Sequence, residues 1–358
     1  MIDCDIHPQI GVLEELLAYV DPAQRDWFRV QGQSFGLPGY PWAHPHSFYR
    51  QDLEHEPGRL PGSSVEDVRR EVLDVFGIQA GVLNADDLIT ISLMASPYRA
   101  AELARAHNEW IRERWLDPEP RLRGGIVCAA QEPSAAAAEI RRVAADERFV
   151  HVVLVGGSER PYGEPRYLPI FEAAAECGLP VAIHSGGEGM GLAAPPGGAG
   201  MPTFYIEWHT LGSAGSIMAH LVSLICHGVF ERFPGLKLVL MEGGVAWLPG
   251  ILWRLDTNWR ALRSDTPWLE RKPSEVALEH VRFTTQPLEH TDGRDALLFE
   301  MLEAAGAPDI LCFASDYPHW DFDDPAFMVR RLPEAWRDGI MHGNAAALYG
   351  DRLGLTAA

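Results

Sequence analysis

The sequence has few basic residues for its length, and this shortage excludes some classes of partner. Thirty Lys and Arg residues stand against fifty Asp and Glu residues, which gives a formal net charge of -20. Such an excess of negative charge opposes binding to nucleic acid or to an anionic membrane surface. We therefore expect neither partner, and an anionic substrate would need a local pocket of positive charge.

Paired cysteines and long hydrophobic runs are also missing. The five cysteines are scattered, and no CxxC pair suggests a zinc ribbon or a disulfide framework. The N-terminus has no basic segment followed by an apolar stretch, and no run of about 18 uninterrupted apolar residues occurs. These absences predict free thiols in a reducing compartment, and hence a cytoplasmic protein. A hydrophobic content of 47% is enough for a large core.

Short apolar runs alternate with amphipathic segments along the whole chain, whereas no GxGxxG motif follows the first run. Strands that alternate with helices pair in parallel through right-handed crossovers, and eight such units close into a barrel. We predict a single (β/α)8 TIM-barrel domain over residues 1–358, with an open doubly wound sheet as the alternative. The predicted strands are IDCDI, QAGVLNA, LRGGIVCA, VHVVLVGG, LPVAIHSGG, LKLVLMEGG, VRFTTQP and ILCFASD.

Two of the predicted connections between strands and helices are long. Residues 8–63 follow the first predicted strand, and residues 186–213 follow the fifth. Both leave the carboxyl ends of strands, where barrel active sites are built, and long loops in compact domains often bind ligands. We expect both to cover the site, with His209 in the second loop facing it. Whether His44 and His46 in the first loop also face it stays open.

Acidic and histidine side chains stand at the carboxyl ends of several predicted strands. His, Asp and Glu from separate strand ends can meet around one divalent ion and leave a position open for substrate. The alternative is that each is an isolated polar residue at the barrel mouth. These residues are Asp5 and His7 at the first strand, His184 at the fifth, Glu242 at the sixth and Asp316 at the eighth.

The stretch FASDYPHWDFDDP, which contains Asp316, carries further candidates. His319 and Trp320 follow in a stiff turn whose polar and aromatic groups are expected to face the pocket. Asp323 or Asp324 is expected to cap the next helix, because an acidic residue before a proline is a common helix start.

These motifs together resemble the amidohydrolase superfamily, and within it the branch that is similar to aminocarboxymuconate-semialdehyde decarboxylase. The resemblance implies a metal-dependent barrel enzyme, a homodimer, and a divalent ion bound by His7, His184 and Asp316. It spans nearly the whole chain and is carried by DCDIHP, VAIHSGG, GVFERFPGLKLVLMEGG, FASDYPHWDFDDP and MHGNAAALYG.

Two positions depart from the common pattern of that family. Asp5 stands where many relatives have a histidine, and the extra oxygen ligand favours Mn²⁺ more than an all-imidazole site would, although Zn²⁺ also fits. Glu242 stands where relatives commonly have a histidine that acts as acid or base. A glutamate is a good base there, but a poor acid at neutral pH unless burial raises its pKa.

Two reactions are compatible with these residues. The first is nonoxidative decarboxylation of a small unsaturated or aromatic acid, with a proton from Asp316 or His319 and with Arg50 binding a second anionic group. The second is hydrolysis of an amide, lactone or ester by water that the metal activates, with Glu242 or Asp316 as the base. The resemblance favours the first, and Glu242 favours the second.

Overall fold

Eight parallel strands form the centre of the molecule. The structure is a computed structural model that describes residues 1–39, 48–53, 59–196 and 199–355. The strands neighbour one another in chain order, so each connection is a crossover of the kind predicted. They are β1 (Ile2–Ile6), β2 (Ala80–Leu83), β3 (Leu122–Val127), β4 (Phe149–Val155), β5 (Val181–His184), β6 (Leu238–Met241), β7 (Val281–Thr284) and β8 (Leu311–Cys312).

The chain beyond β8 closes the barrel against β1. Cys4 donates its backbone N–H to the carbonyl of Phe313, and Asp316 donates its own to the carbonyl of Asp5. A parallel bridge between Ile6 and Tyr317 continues this pairing past the end of β8. The predicted (β/α)8 barrel is confirmed, and its closure brings the segment after β8 directly beside the end of β1.

Helices surround the barrel and cover the outer faces of the strands. Because both faces of a parallel sheet are covered, nearly all strand residues are buried, which explains why the strands are continuous apolar runs. The helices are α1 (Leu13–Leu17), α2 (Pro22–Gln31), α3 (Val65–Val68), α4 (Pro97–Ile111), α5 (Pro133–Val143), α6 (Leu168–Glu176), α7 (Tyr205–Glu207), α8 (Ser213–Cys226), α9 (Val229–Arg232), α10 (Leu248–Ala261), α11 (Pro273–His280), α12 (Asp295–Ala304), α13 (Pro325–Arg331), α14 (Glu334–Asp338) and α15 (Asn344–Tyr349).

Local sequence signals set several helix starts. The side chains of Asp21, Ser64 and Ser96 accept backbone N–H groups in the first turns of α2, α3 and α4. Asp324 does the same for α13, with Pro325 as its first residue, so the predicted cap after the eighth strand lies at Asp324.

The two long connections contain helices as well as loop. The first contains α1 and α2, which the loop prediction missed although Asp21 and Pro22 are a helix-start signal. The second leads into α7, a π-helical stretch at Trp208–Gly212, and α8. This continuous helix, Tyr205–Cys226, is long and apolar enough by length and composition to cross a membrane, a property that core helices of globular proteins share.

Candidate metal centre and pocket

Four predicted ligands meet at the carboxyl end of the barrel. Nε2 of His7 lies 3.3 Å from Oδ1 of Asp5 and 3.0 Å from Oδ1 of Asp316. Nε2 of His184 lies 3.0 Å from Oδ2 of Asp5. All four side chains are buried, with at most 3% of any residue exposed. The barrel therefore brings Asp5 and His184 into contact although they are more than 170 positions apart in the chain.

The unmet hydrogen-bonding capacity of this cluster fits a divalent cation. Nδ1 of His7 has no hydrogen-bond partner in the described part of the chain, and neither has Oδ2 of Asp316. Nε2 of His7 faces Oδ1 of Asp5 and Oδ1 of Asp316 at 3.3 and 3.0 Å but makes no well-formed hydrogen bond to either oxygen. Nδ1 of His184 lies 2.7 Å from the carbonyl of Ser185, so an N–H there would leave Nε2 free to bind a metal. Two imidazoles and two carboxylates at this spacing have the donor atoms for one metal ion.

The electrostatics of the cluster show the same need for positive charge. Burial opposes ionisation of Asp5, but His184 and His7 outweigh it and hold the pKa of Asp5 below its usual value. Burial likewise opposes the charged form of His184, yet Asp5 raises the pKa of that imidazole to about 10. The carboxylate of Asp5 thus attracts positive charge strongly, and a bound cation would supply that charge.

Two residues of the site hold an unusual backbone conformation. Glu242 has φ 54° and Asp316 has φ 61°, in the left-handed region that non-glycine residues rarely occupy. Backbone strain of this kind is concentrated at functional sites. The backbone N–H of Glu242 donates to Oγ1 of Thr284 at 3.1 Å, and this hydrogen bond helps to hold the backbone conformation of Glu242.

The carboxylate of Glu242 lies beside the ligand cluster and lines the pocket. Its Oε2 is 3.4 Å from Nε2 of His184. Burial, together with the negative charge of Asp316, raises the pKa of Glu242 to about 7. With its pKa raised in this way, Glu242 could act as an acid as well as a base near neutral pH.

His319 lies beside His7 and Asp316. Its ring stacks on His7 with 4.4 Å between centroids, and its Nδ1 lies 2.7 Å from Oδ1 of Asp316. Its Nε2 is 3.4 Å from Oδ1 of Asp86. Burial disfavours the imidazolium form, but Asp316 and Asp86 outweigh that cost and raise the pKa of His319 well above its usual value. His319 is thus held between two carboxylates at the pocket wall.

The pocket above the cluster encloses roughly 700 Å³, including its opening to solvent. His209 and Trp320 are among its lining residues, with their ring centroids 5.4 Å apart. Its described lining is His7, Phe48, Tyr49, Ala85, Asp86, Ile89, Thr90, His184, Ser185, Gly186, Tyr205, Trp208, His209, Glu242, His319, Trp320 and Asp321.

Arg50 is the predicted binding residue that the structure does not bring to the pocket. Its guanidinium pairs with both carboxylate oxygens of Asp52, at 2.9 and 2.6 Å, and stacks on Phe322 at 4.1 Å from the ring centroid. Arg50 is not among the described residues that line the pocket. His44 and His46 lie outside the described residues.

Sequence reasoning missed a buried polar network beneath the cluster. Asn84 donates from Nδ2 to Oδ1 of Asp5, at 2.8 Å. Its Oδ1 lies 2.8 Å from Nε2 of His151, whose Nδ1 lies 3.0 Å from the hydroxyl of Tyr349. Asp86 was missed as well. Asn84 directly follows β2 and Asp86 stands two residues later, so the strand-end rule that selected the predicted ligands could also have selected these two residues.

Comparison with known proteins gives relatives of similar length and fold. The gamma-resorcylate decarboxylase of Rhodococcus jostii (strain RHA1) is 25% identical, over 85% of this chain and 96% of the relative. The crystal structure of 5-carboxyvanillate decarboxylase from Sphingomonas paucimobilis has a TM-score of 0.67 at 23% identity, covering 98% of both chains.

A further solved structure is dihydroxybenzoic acid decarboxylase from Polaromonas sp. JS666, with bound manganese and the inhibitor 2-nitroresorcinol. Its TM-score is 0.65 at 20% identity, covering 98% of this chain and 96% of that one. The amidohydrolase family model matches residues 2–350, nearly the whole length. The chain therefore belongs to the amidohydrolase family, as its motifs and its barrel indicated.

Proposed function

We propose that this chain is a divalent-metal-dependent decarboxylase that acts on an aromatic carboxylic acid. The observation that carries the proposal is the buried cluster of Asp5, His7, His184 and Asp316, in which Nδ1 of His7 lacks a hydrogen bond within the described residues. Two members of this cluster, His7 and His184, line a pocket whose walls also include Tyr205, Trp208 and Trp320, among other aromatic residues. Flat apolar walls above a metal centre suit an aromatic acid.

The reaction replaces a carboxylate with a proton. The bond between the ring carbon and the carboxylate breaks, carbon dioxide leaves, and a proton is added to that ring carbon. When bound, the metal would hold substrate oxygen atoms and draw electron density from the ring. We assign the ligand role to Asp5, His7, His184 and Asp316.

Proton transfer needs groups that reach the bound ring, and two titratable residues beside the cluster line the pocket: Glu242 next to His184, and His319 next to His7 and Asp316. We assign delivery of the proton to Glu242. His319, fixed between Asp316 and Asp86, positions the substrate and is the alternative donor. Asp316 acts as a ligand rather than as the acid, because it already accepts from His319 and lies against His7.

The relatives support both the reaction and the metal. Those described above are named as decarboxylases of gamma-resorcylate, 5-carboxyvanillate and dihydroxybenzoic acid, and one of the solved structures contains manganese. Two carboxylate ligands beside two imidazoles favour Mn²⁺, and Zn²⁺ remains the alternative. Elemental analysis of protein grown with both metals decides between them.

The decisive experiment incubates the metal-loaded protein with a panel of aromatic acids, lactones and amides, and measures carbon dioxide release and product formation. Carbon dioxide released in equal amount to acid consumed supports the proposal. Hydrolysis of a lactone or an amide with no carbon dioxide from any acid overturns it in favour of the hydrolase.

We also propose that residues 1–358 act as one domain, and that the protein is a cytoplasmic homodimer. All five cysteines are free thiols, which suits a reducing compartment. Large apolar side chains at Ile206, Leu211 and Trp253 are at least half exposed and offer a surface for self-association. Light scattering on the purified protein measures the oligomeric state.

A further inference from the structure

A chain of three hydrogen bonds connects the metal centre to the last helix, α15. The hydroxyl of Tyr349, the final residue of α15, lies 3.0 Å from Nδ1 of His151. Nε2 of His151 lies 2.8 Å from Oδ1 of Asn84, and Nδ2 of Asn84 donates to Oδ1 of Asp5 at 2.8 Å. None of these four residues is more than 4% exposed. Because water does not reach them, each group depends on its neighbour in the chain for a hydrogen bond.

The amide of Asn84 sets the direction of this chain. Its Nδ2 faces two acceptors, Oδ1 of Asp5 and, at 3.2 Å, the carbonyl oxygen of Cys4. Its Oδ1 is therefore the atom that faces His151, and it must accept a hydrogen from Nε2 of that ring. Burial lowers the pKa of His151 to about 4, so the ring is neutral and has one N–H. With that hydrogen on Nε2, Nδ1 accepts the hydroxyl hydrogen of Tyr349.

The absence of a side chain at Gly125 leaves the space in which Asn84 and His151 meet. A Cβ atom at this position of β3 would come 2.8 Å from Oδ1 of Asn84 and 2.9 Å from Nε2 of His151. These are the two atoms of the middle hydrogen bond, so any larger residue at position 125 would push them apart. The barrel interior is thus shaped to keep this hydrogen bond.

The segment after α15 is fixed to the first residues of β3 and β4. Nε of Arg123 donates to the carbonyl of Arg352 at 2.6 Å, and Nη1 of Arg352 donates to the carbonyl of Phe149 at 2.9 Å. These contacts hold the end of α15 at the amino-terminal side of the barrel. Tyr349 therefore approaches the metal centre from the side opposite to the pocket.

We propose that Tyr349 and His151 are positioning residues of the metal centre, which act through Asn84 to hold the carboxylate of Asp5 in place. The hydroxyl of Tyr349 keeps the hydrogen of His151 on Nε2, and this N–H holds Oδ1 of Asn84. Without it, the amide of Asn84 can turn and present its oxygen to Asp5, which repels it. The inference rests on the proposed metal centre, and it does not depend on the reaction or the substrate.

Metal affinity tests the chain without requiring turnover. Chelator-treated protein is titrated with Mn²⁺ against a competing indicator. His151→Leu removes the donor to Asn84 and should weaken binding about 10-fold or more, the usual cost of losing a partner that orients a ligand. Tyr349→Phe removes only the more distant hydroxyl, and we expect a loss of about threefold to 10-fold.

Two further variants separate positioning from a loss of packing. His151→Gln keeps one donor and one acceptor in the side chain, so it should recover most of the affinity that His151→Leu loses. Tyr162→Phe is the matched control for Tyr349→Phe, because Tyr162 is also buried and its hydroxyl donates to the backbone carbonyl of Val155 at 2.8 Å. It should bind Mn²⁺ as tightly as the wild type. An equal loss in this control would overturn the proposal.

The tautomer of His151 tests the direction of the chain in the unsubstituted protein. Nitrogen-15 chemical shifts of the histidine rings distinguish a hydrogen on Nε2 from one on Nδ1, and the signals of His151 are those that disappear in His151→Gln. We expect the hydrogen on Nε2 in the wild type. A hydrogen on Nδ1 would overturn the proposal whatever the metal affinities are.

Failure of this inference differs from failure of the metal centre. If the wild type binds Mn²⁺ and both Tyr349→Phe and His151→Leu bind it equally tightly, the metal centre stands and the positioning role is wrong. If only His151→Leu binds more weakly, the role of Tyr349 is wrong. If the wild type binds no divalent ion, the metal centre fails and the inference fails with it.

Discussion

Replacing Asn84 with alanine should weaken metal binding through Asp5, although Asn84 is not a ligand. Its Nδ2 donates to Oδ1 of Asp5 at 2.8 Å and to the carbonyl of Cys4 at 3.2 Å, and its Oδ1 faces His151. A hydrogen bond to a charged group contributes about 1.5–3 kcal/mol. Loss of a partner that orients a metal ligand typically costs 10- to 100-fold in metal affinity. We expect that loss, measured by titrating chelator-treated protein with Mn²⁺ against a competing indicator.

Asn108→Ala is the matched control for this experiment. Asn108 is also buried and also makes three side-chain hydrogen bonds, to the backbone N–H and carbonyl of Val127 and to Glu139, but none of them reaches the metal centre. Both variants should lose about 1–3 kcal/mol of unfolding free energy from unsatisfied buried groups. Only Asn84→Ala should lose metal affinity. If the two variants retain the same affinity as the wild type, Asn84 is a structural residue and the positioning argument is wrong.

Three further predictions concern the metal, the acid and the pH dependence of stability. His184→Ala should purify with only trace metal while the wild type carries about one divalent ion per chain, and equal trace amounts in both would refute the metal site. Glu242→Gln should lower turnover roughly 10²-fold or more with its metal content retained, and near-normal turnover would make Glu242 structural. Burial lowers the pKa of His220 to about 4, and its Nδ1 accepts the N–H of Tyr162 while its Nε2 lies 2.7 Å from the carbonyl of Gly156. The native state therefore binds fewer protons than the unfolded state, and stability should fall as the pH drops from about 6.5 towards 4, by about 3 kcal/mol from this group. Denaturant unfolding at several pH values gives the unfolding free energy as a function of pH, and this free energy should fall less between pH 6.5 and about 4 in His220→Gln than in the wild type. An equal fall in both proteins would contradict the assignment.

The sequence by itself determined the barrel and the set of residues that meet in the candidate metal centre. All eight predicted strands are present, because strands buried on both faces must be continuous apolar runs whatever their partners are. Asp5, His7, His184 and Asp316 could be selected because a parallel barrel brings the carboxyl ends of its strands to one face. No contact needed to be known for either inference.

The tertiary structure decided which side chains face one another. In the sequence Arg50 was a candidate cation for the pocket, but in the structure its guanidinium pairs with Asp52 and stacks on Phe322, and it does not line the pocket. The φ angles of Glu242 and Asp316 depend on partners from other strands, so no local propensity predicts them. Asn84, His151 and Tyr349 form their network only because the closed barrel brings together positions 67 and 198 residues apart. Such long-range pairings are fixed by packing of the whole chain, and single-sequence patterns report only on the local backbone and on which face is buried.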